Sequence, residues 1–191
     1  MNHPHFNITV EVELTNFLPF LTKENLKFTP TIVFAIAKAA NTIKEFKWRI
    51  QDEQIIEHPF VHPSYTVHTE ASSVFSFCTV PFQNNLFQFL EAAQKTEKAM
   101  QQNPSFEDEP GRDDYLFISS IPWFSFTAIQ HAMHYHPCDS VPRFTFGKYF
   151  KSGNIIKMPL SIQAHHALVN GKELGTFIEC LQNYLSKPTT L

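Results

Sequence analysis

The sequence predicts an α+β domain with a mixed or largely antiparallel sheet, and three observations lead there. Segments with the two-residue period of strands outnumber those with helical period. Most of them follow one another directly, without the strict strand–helix alternation of a doubly wound parallel sheet. The chain has 191 residues, 43% of them hydrophobic, enough for one well-filled core and too few for two. A single domain over residues 1–191 is therefore expected.

Phe6 to Leu14 alternates Phe6, Ile8, Val10, Val12 and Leu14 with Asn7, Thr9, Glu11 and Glu13, the pattern of a half-buried strand. A polar stretch follows. Thr29-Pro30 then reads as an N-cap with proline at the first helical position, opening an alanine-rich buried helix from Thr31 to about Lys44. Trp48 to Glu57 divides into two short strands around Asp52-Glu53, and Tyr65 to Val80 into two more. Between Gln83 and Gln101, Leu86, Leu90, Ala93 and Met100 fall at helical spacing. Gln102 to Asp114 is polar, holds two prolines and a glycine, and reads as a loop. Strands are expected at Tyr115–Ile121, Arg143–Phe150 and Ile155–Ala167. A final helix aligns Leu174, Phe177, Ile178, Leu181 and Tyr184.

Composition excludes several classes. The net charge of −3 argues against a nucleic-acid binder built on a basic patch and against a polybasic membrane anchor. No apolar run approaches the ~20 residues of a membrane-spanning helix, and the polar start Met1-Asn2-His3-Pro4 does not read as a signal peptide. Only five glycines occur, and no Gly-rich phosphate loop or dinucleotide fingerprint is present. Three widely spaced cysteines, Cys78, Cys138 and Cys180, do not suggest a disulfide framework and fit a reducing cytoplasm. Phenylalanine is over-used: 20 residues against 13 leucines.

Chemistry concentrates at Ile155 to Glu173. Alternation puts Ile156, Met158, Leu160, Ile162, Ala164 and His166 on one face, and Lys157, Pro159, Ser161, Gln163 and His165 on the other. His166 is thus expected at the end of the apolar face, buried and neutral, as a general base requires. A core histidine with no catalytic role satisfies the same pattern. Asn170-Gly171-Lys172-Glu173 has the layout of a capping box that starts the last helix. His131, His134, His136 and Cys138 lie close together, but their spacing matches no standard zinc site, and no metal is expected.

His165-His166-Ala167-Leu168-Val169-Asn170-Gly171 closely resembles the HHxxxDG signature of the chloramphenicol acetyltransferase family, with Asn170 in place of the Asp. Other matches run in order along nearly the whole chain. Pro159-Leu160-Ser161-Ile162-Gln163 leads into the histidines as in that family, and Ile118-Ser119-Ser120-Ile121-Pro122-Trp123 is similar to its I-S-A-L-P-W. Thr145, Lys148 and Tyr149 fit T-x-A-K-Y with Gly147 in the alanine's place. Lys27-Phe28-Thr29-Pro30 is similar to K-F-Y-P, and Val74-Phe75-Ser76 to T-F-S.

The resemblance implies a two-layer sheet-and-helix, coenzyme-A-dependent acyltransferase fold, and acetyl transfer from acetyl-CoA to a hydroxyl of chloramphenicol or a related small molecule. It implies His166 as general base, Ser119 as donor to the oxyanion at ~3 kcal/mol, and Thr145 assisting through a water. Lys27, Trp123, Lys148 and Tyr149 would contact coenzyme A, and Phe75 would line the acceptor pocket. A count without gaps from Trp123 to Thr145 puts His131 at an apolar wall position of that pocket, making it more polar. The family is a homotrimer with sites between subunits, so His166 would face the acceptor-binding residues of a neighbour. The family also pairs the motif Asp with an Arg in a segment before the first strand. That segment is missing here, and the uncharged Asn170 reads as compensation for the lost partner, since replacing both members of a buried pair can be nearly neutral. The alternatives are a non-catalytic relative that keeps fold and trimer, or an acyltransferase with another acceptor.

Overall fold

The computed structural model describes residues 3–68, 75–104, 109–134 and 136–191. The elements run β1 (His5–Glu13), α1 (Phe17–Glu24), α2 (Phe28–Asn41), a 3-10 turn at Lys44–Lys47, β2 (Trp48–Gln51), β3 (Gln54–Glu57), β4 (His62–His68), β5 (Phe75–Thr79), α3 (Leu86–Gln102), β6 (Tyr115–Ile121), β7 (Arg143–Gly147), β8 (Phe150–Ser152), β9 (Ile155–His165) and α4 (Gly171–Ser186). The main sheet has the order β1-β9-β7-β6-β4-β5, with β8 also paired to β9. It is mixed: β4–β6 and β6–β7 are parallel, and the remaining pairs are antiparallel. Among the described residues, β2 and β3 form a separate hairpin. Asp52 and Glu53 at its turn both have positive φ (47° and 61°), as a tight two-residue turn requires.

Register explains the layering. Val10, Leu160, Phe146 and Ser120 align across β1, β9, β7 and β6 on one face, and Tyr65 and Cys78 continue that face on β4 and β5. Helices α2, α3 and α4 cover it. Phenylalanine dominates the filling: Phe46, Phe144 and Phe177 meet at centroid distances of 6.0, 5.1 and 5.3 Å, and Phe34 meets Phe89 at 5.2 Å. Broad, stiff rings bury much surface at little rotamer cost, which accounts for much of the unusual Phe count. Others, such as Phe60, Phe75, Phe87 and Phe124, remain exposed.

Four expectations are corrected. Phe17–Glu24, within the supposed polar stretch, is helical; only Phe17 and Leu21 are buried, so the apolar period is too short to stand out, and Asn25 ends the helix in a left-handed conformation. Helix α2 begins at Phe28, with Lys27 at the cap. Pro30 therefore sits third in the helix, still within the turn whose N–H groups have no helical partner, and the Thr31 hydroxyl donates to Lys27 O at 2.7 Å. The strand expected over Arg143–Phe150 breaks at Lys148-Tyr149, where Lys148 N donates to Phe124 O at 3.0 Å. Strand β9 stops at His165, and the chain turns there: Leu168 N and Val169 N both donate to His165 O, at 3.0 and 3.1 Å. The loop expected over Gln102–Asp114 lies partly outside the described residues.

One buried charge ties the hairpin to the sheet. Arg49 is fully buried and donates to four main-chain carbonyls: Asp113, Phe46, Trp48 and Tyr115, at 2.6, 3.0, 2.6 and 2.6 Å.

Candidate active site

The sheet face away from the helices is polar. Thr9, Ser161, Thr145 and Ser119 are in register across β1, β9, β7 and β6, forming a row of hydroxyls. The next rung carries Asn7, Gln163 and Arg143. The connection from β6 to β7 crosses this face and seals part of it. His131 N donates to Gln163 Oε1 at 3.2 Å, and the His131 ring nitrogen Nε2 lies 3.0 Å from the Thr145 hydroxyl. Thr145 is 1% exposed. Burial, with the Arg143 cation nearby, pushes His131 down to about 4.

That shift has a measurable consequence. The unfolded chain takes up a proton on this residue near 6.5, while the folded chain does so only near 4. Between those values the unfolded state binds more protons, so the penalty is absent above pH 6.5 and grows as pH falls to about 4. Burial displaces His5, His62 and His165 in the same direction. Thermal unfolding followed by circular dichroism is expected to show a lower midpoint at pH 5 than at pH 7.5, and His131→Gln to narrow that gap.

Beneath Ser119 lies a cavity of about 210 Å³ on the polar face, lined by Ser64, Thr66, Phe77, Phe117, Ile118, Ser119, His131 and Arg143. On the helix side, a cleft of about 450 Å³ is bordered by the start of α2 (Lys27 to Pro30), the end of β4, Glu97 and Gln101 of α3, and Ser120, Pro122 and Phe146 to Tyr149. Thr66 lines both spaces. The β4–β6 register ends at Tyr65↔Ile118 although both strands continue, so Thr66 and Ser119 flank a parting of the sheet between cleft and cavity.

Three of the four residues expected to hold the co-substrate, Lys27, Lys148 and Tyr149, thus border one cleft. Lys27 Nζ stands 3.5 Å from Glu97, and the Tyr149 ring lies 5.8 Å from that of Phe28. Trp123 follows the cleft residue Pro122, is 65% exposed, and meets His68 edge-on at 5.8 Å. The turn that exposes Lys148 and Tyr149 depends on Gly147. A Cβ there would lie 2.8 Å from both Phe126 Cε1 and Pro159 Cγ. We expect Gly147→Ala to cost about 1–3 kcal/mol in urea unfolding, and Phe126→Ala in the same chain to relieve part of that cost.

The structure corrects the expectation for His166. It is exposed, because the chain leaves β9 at His165; the buried histidine is His165, edge-on to His5 at 5.2 Å. His166 is positioned from three sides: its N–H donates to Pro4 O at 2.8 Å, its ring packs on Phe6 at 5.0 Å, and Nδ1 lies 3.4 Å from Val169 O. With the proton on Nδ1, directed at that carbonyl, Nε2 keeps a lone pair for an incoming hydroxyl. The capping box forms as the spacing predicts: Lys172 N donates to Asn170 Oδ1 at 2.9 Å, and Asn170 N to Glu173 Oε2 at 3.1 Å. Gly171 opens α4, where an added Cβ would meet nothing within 4 Å.

His166 and Ser119 do not share a space within one chain. His166 borders an open hollow with Pro4, Cys138, His165 and Ala167, whereas Ser119 borders the cavity under β6. Phe77, rather than Phe75, lines that cavity; Phe75 points the same way two residues earlier on the edge strand and is 46% exposed. Arg143, Thr66 and Phe77 escaped the sequence reading. Arg143 was within its reach, since it alternates with Thr145 on one strand. Among the described residues, no group of three or more His, Cys, Asp or Glu could hold a metal ion.

Comparison with known proteins identifies the family. The family model described as chloramphenicol acetyltransferase matches residues 2–182. A chloramphenicol acetyltransferase of Klebsiella sp is 31% identical over 94% of this chain and 82% of its own length. One from Clostridium butyricum is 31% identical over 93% and 82%. Among solved structures, a chloramphenicol acetyltransferase superimposes with a TM-score of 0.83 at 20% identity, over 96% of this chain and 89% of that one. The cubic core of a pyruvate dehydrogenase multienzyme complex gives 0.74 at 20% identity, over 97% and 82%. By sequence and by fold, the chain belongs to the chloramphenicol acetyltransferase family.

Proposed function

We propose that this enzyme moves the acetyl group of acetyl-CoA to a hydroxyl of chloramphenicol or a related small molecule, in a homotrimer whose sites lie between subunits. The observation that carries the reading is the parting at Thr66 and Ser119, which links a cleft bordered by Lys27, Lys148 and Tyr149 to the cavity under the hydroxyl row. Lysines suit the phosphates of coenzyme A, and the exposed rings of Tyr149 and Trp123 suit its adenine and pantetheine portions. The thioester would reach Ser119 through the parting.

In this scheme, His166 of a second copy takes the proton of the acceptor hydroxyl at Nε2 as the oxygen attacks the thioester carbonyl. The Ser119 hydroxyl donates to the oxyanion of the tetrahedral intermediate. Its collapse breaks the carbon–sulfur bond, and His166 returns the proton to the leaving thiolate. The separation of His166 from Ser119 within one chain supports a site completed by a neighbour. Thr145 is bonded directly to His131, so this pair would fix the water beside the intermediate.

Three free cysteines fit a reducing cytoplasm, where acetyl-CoA is available. No helix of the described residues is long and apolar enough to cross a membrane. The test is thiol release from acetyl-CoA, followed with a thiol reagent, with and without chloramphenicol. Acceptor-dependent release is expected; failure to bind acetyl-CoA would overturn the proposal.

A further inference from the structure

The cavity under Ser119 is rich in hydrogen-bond donors. The hydroxyls of Ser64, Thr66 and Ser119 and the Arg143 guanidinium border it between Phe77 and Phe117, beside the His131 ring, and among the described residues no carboxylate lines it. Ser64 already accepts from the Thr79 hydroxyl at 3.0 Å, which leaves its own O–H to donate.

Arg143 gives the cavity its sign. Its side chain is only 11% exposed, and its charged carbon stands 5.4 Å from the centre of the Phe117 ring. Nη1 donates to Asp139 Oδ1 at 2.9 Å and to Val141 O at 3.0 Å, and Nη2 donates to Asp139 Oδ2 at 2.6 Å. The Asp139 side chain is 42% exposed and does not border the cavity. The ion pair therefore turns its positive end inward and its negative end to solvent. Nε–H and the second Nη2 hydrogen have no protein partner among the described residues. A neutral carbonyl or hydroxyl would accept from them without bringing a charge, whereas a carboxylate would add its opposite charge to the hydrogen bonds in a half-dry space between two rings.

Resting on the acetyl-transfer reading of this site, we infer that the preferred acceptor is a small aromatic hydroxy acid, its carboxylate held by Arg143 and its hydroxyl presented towards Ser119. The Phe77 and Phe117 walls, with about 210 Å³ between them in one chain, suit one substituted ring. This moves specificity away from chloramphenicol, which carries no negative charge.

The probes are 4-(hydroxymethyl)benzoate and its neutral methyl ester, with chloramphenicol beside them. Thiol release gives kcat/KM for each, and ligand-observed NMR gives affinity whether or not turnover occurs. The wild-type protein is expected to favour the carboxylate over the ester by about tenfold or more, the usual scale of one hydrogen bond to a charged group. Arg143→Gln abolishes that preference, and Arg143→Lys retains part of it. Asp139→Asn strengthens it, because the competing carboxylate is gone while the side chain still accepts from Val141 N. Equal binding of acid and ester by the wild type, or an unchanged preference in Arg143→Gln, overturns the inference. Turnover of chloramphenicol and the ester without preference for the acid sinks it while acetyl transfer stands. Absence of acetyl-CoA binding sinks the transfer reading, and the NMR comparison still decides the acceptor's charge.

Discussion

A His166→Ala chain is expected to fold and bind acetyl-CoA as the wild type does, and to transfer acetyl groups about 10²–10⁴-fold more slowly. The fold should survive because the ring is exposed; its removal forfeits a contact with Phe6 and a long hydrogen bond to Val169 O, while the backbone bond to Pro4 persists. The loss should fall on kcat, since in the proposed scheme the imidazole acts only as the acceptor hydroxyl gives up its proton. His165→Ala makes the contrast. Its Nδ1 accepts from Ala167 N at 3.3 Å and its ring is buried against His5, so stability should fall first. Steady-state kinetics beside a melting curve separates the two residues. Equal kcat losses with equal drops in midpoint would mean that His166 acts only through structure.

Arg49→Leu is expected to be the most damaging single change to stability. Four carbonyls around the guanidinium lose their donor at once, and leucine offers nothing in return. A buried acceptor left unsatisfied costs about 1–3 kcal/mol. Some relaxation and water entry will reduce the sum, so a loss of about 4 kcal/mol or more is anticipated, a large part of the ~5–15 kcal/mol typical of a domain. Burial lowers the guanidinium's pKa to about 10 against the pull of Asp113, Asp114 and Asp139, so the group stays charged at neutral pH. Urea unfolding measures the effect. Arg49→Lys should recover little, because one ammonium has three hydrogens and cannot reproduce the planar fork.

The strands were legible because one face is apolar and the other polar: Phe6 to Leu14 and Ile155 to Ala164 declare their register by alternation alone. The capping box at Asn170 was legible because it is local, four consecutive residues whose bonds close on themselves. What escaped depends on partners remote in sequence. Helix α1 has only two buried anchors and gains its remaining support from tertiary packing. The exposure of His166 turns on one residue of strand length, which periodicity does not resolve. Arg143 shows nothing in isolation; its meaning comes from Asp139 on the solvent side and from the neighbouring strand that brings Phe117 and Ser119 to the same space. The glycine in place of the motif's alanine is explained by two residues remote in sequence, Phe126 and Pro159, packed against it.

In the proposed site one copy supplies His166 and another supplies Ser119. Co-expressing His166→Ala and Ser119→Ala chains with different affinity tags, and purifying on both, isolates mixed oligomers. Thiol release by these hybrids should rise well above that of either variant alone, because some interfaces then bring an intact His166 to an intact Ser119. Hybrids no more active than the single variants would contradict a site shared between subunits.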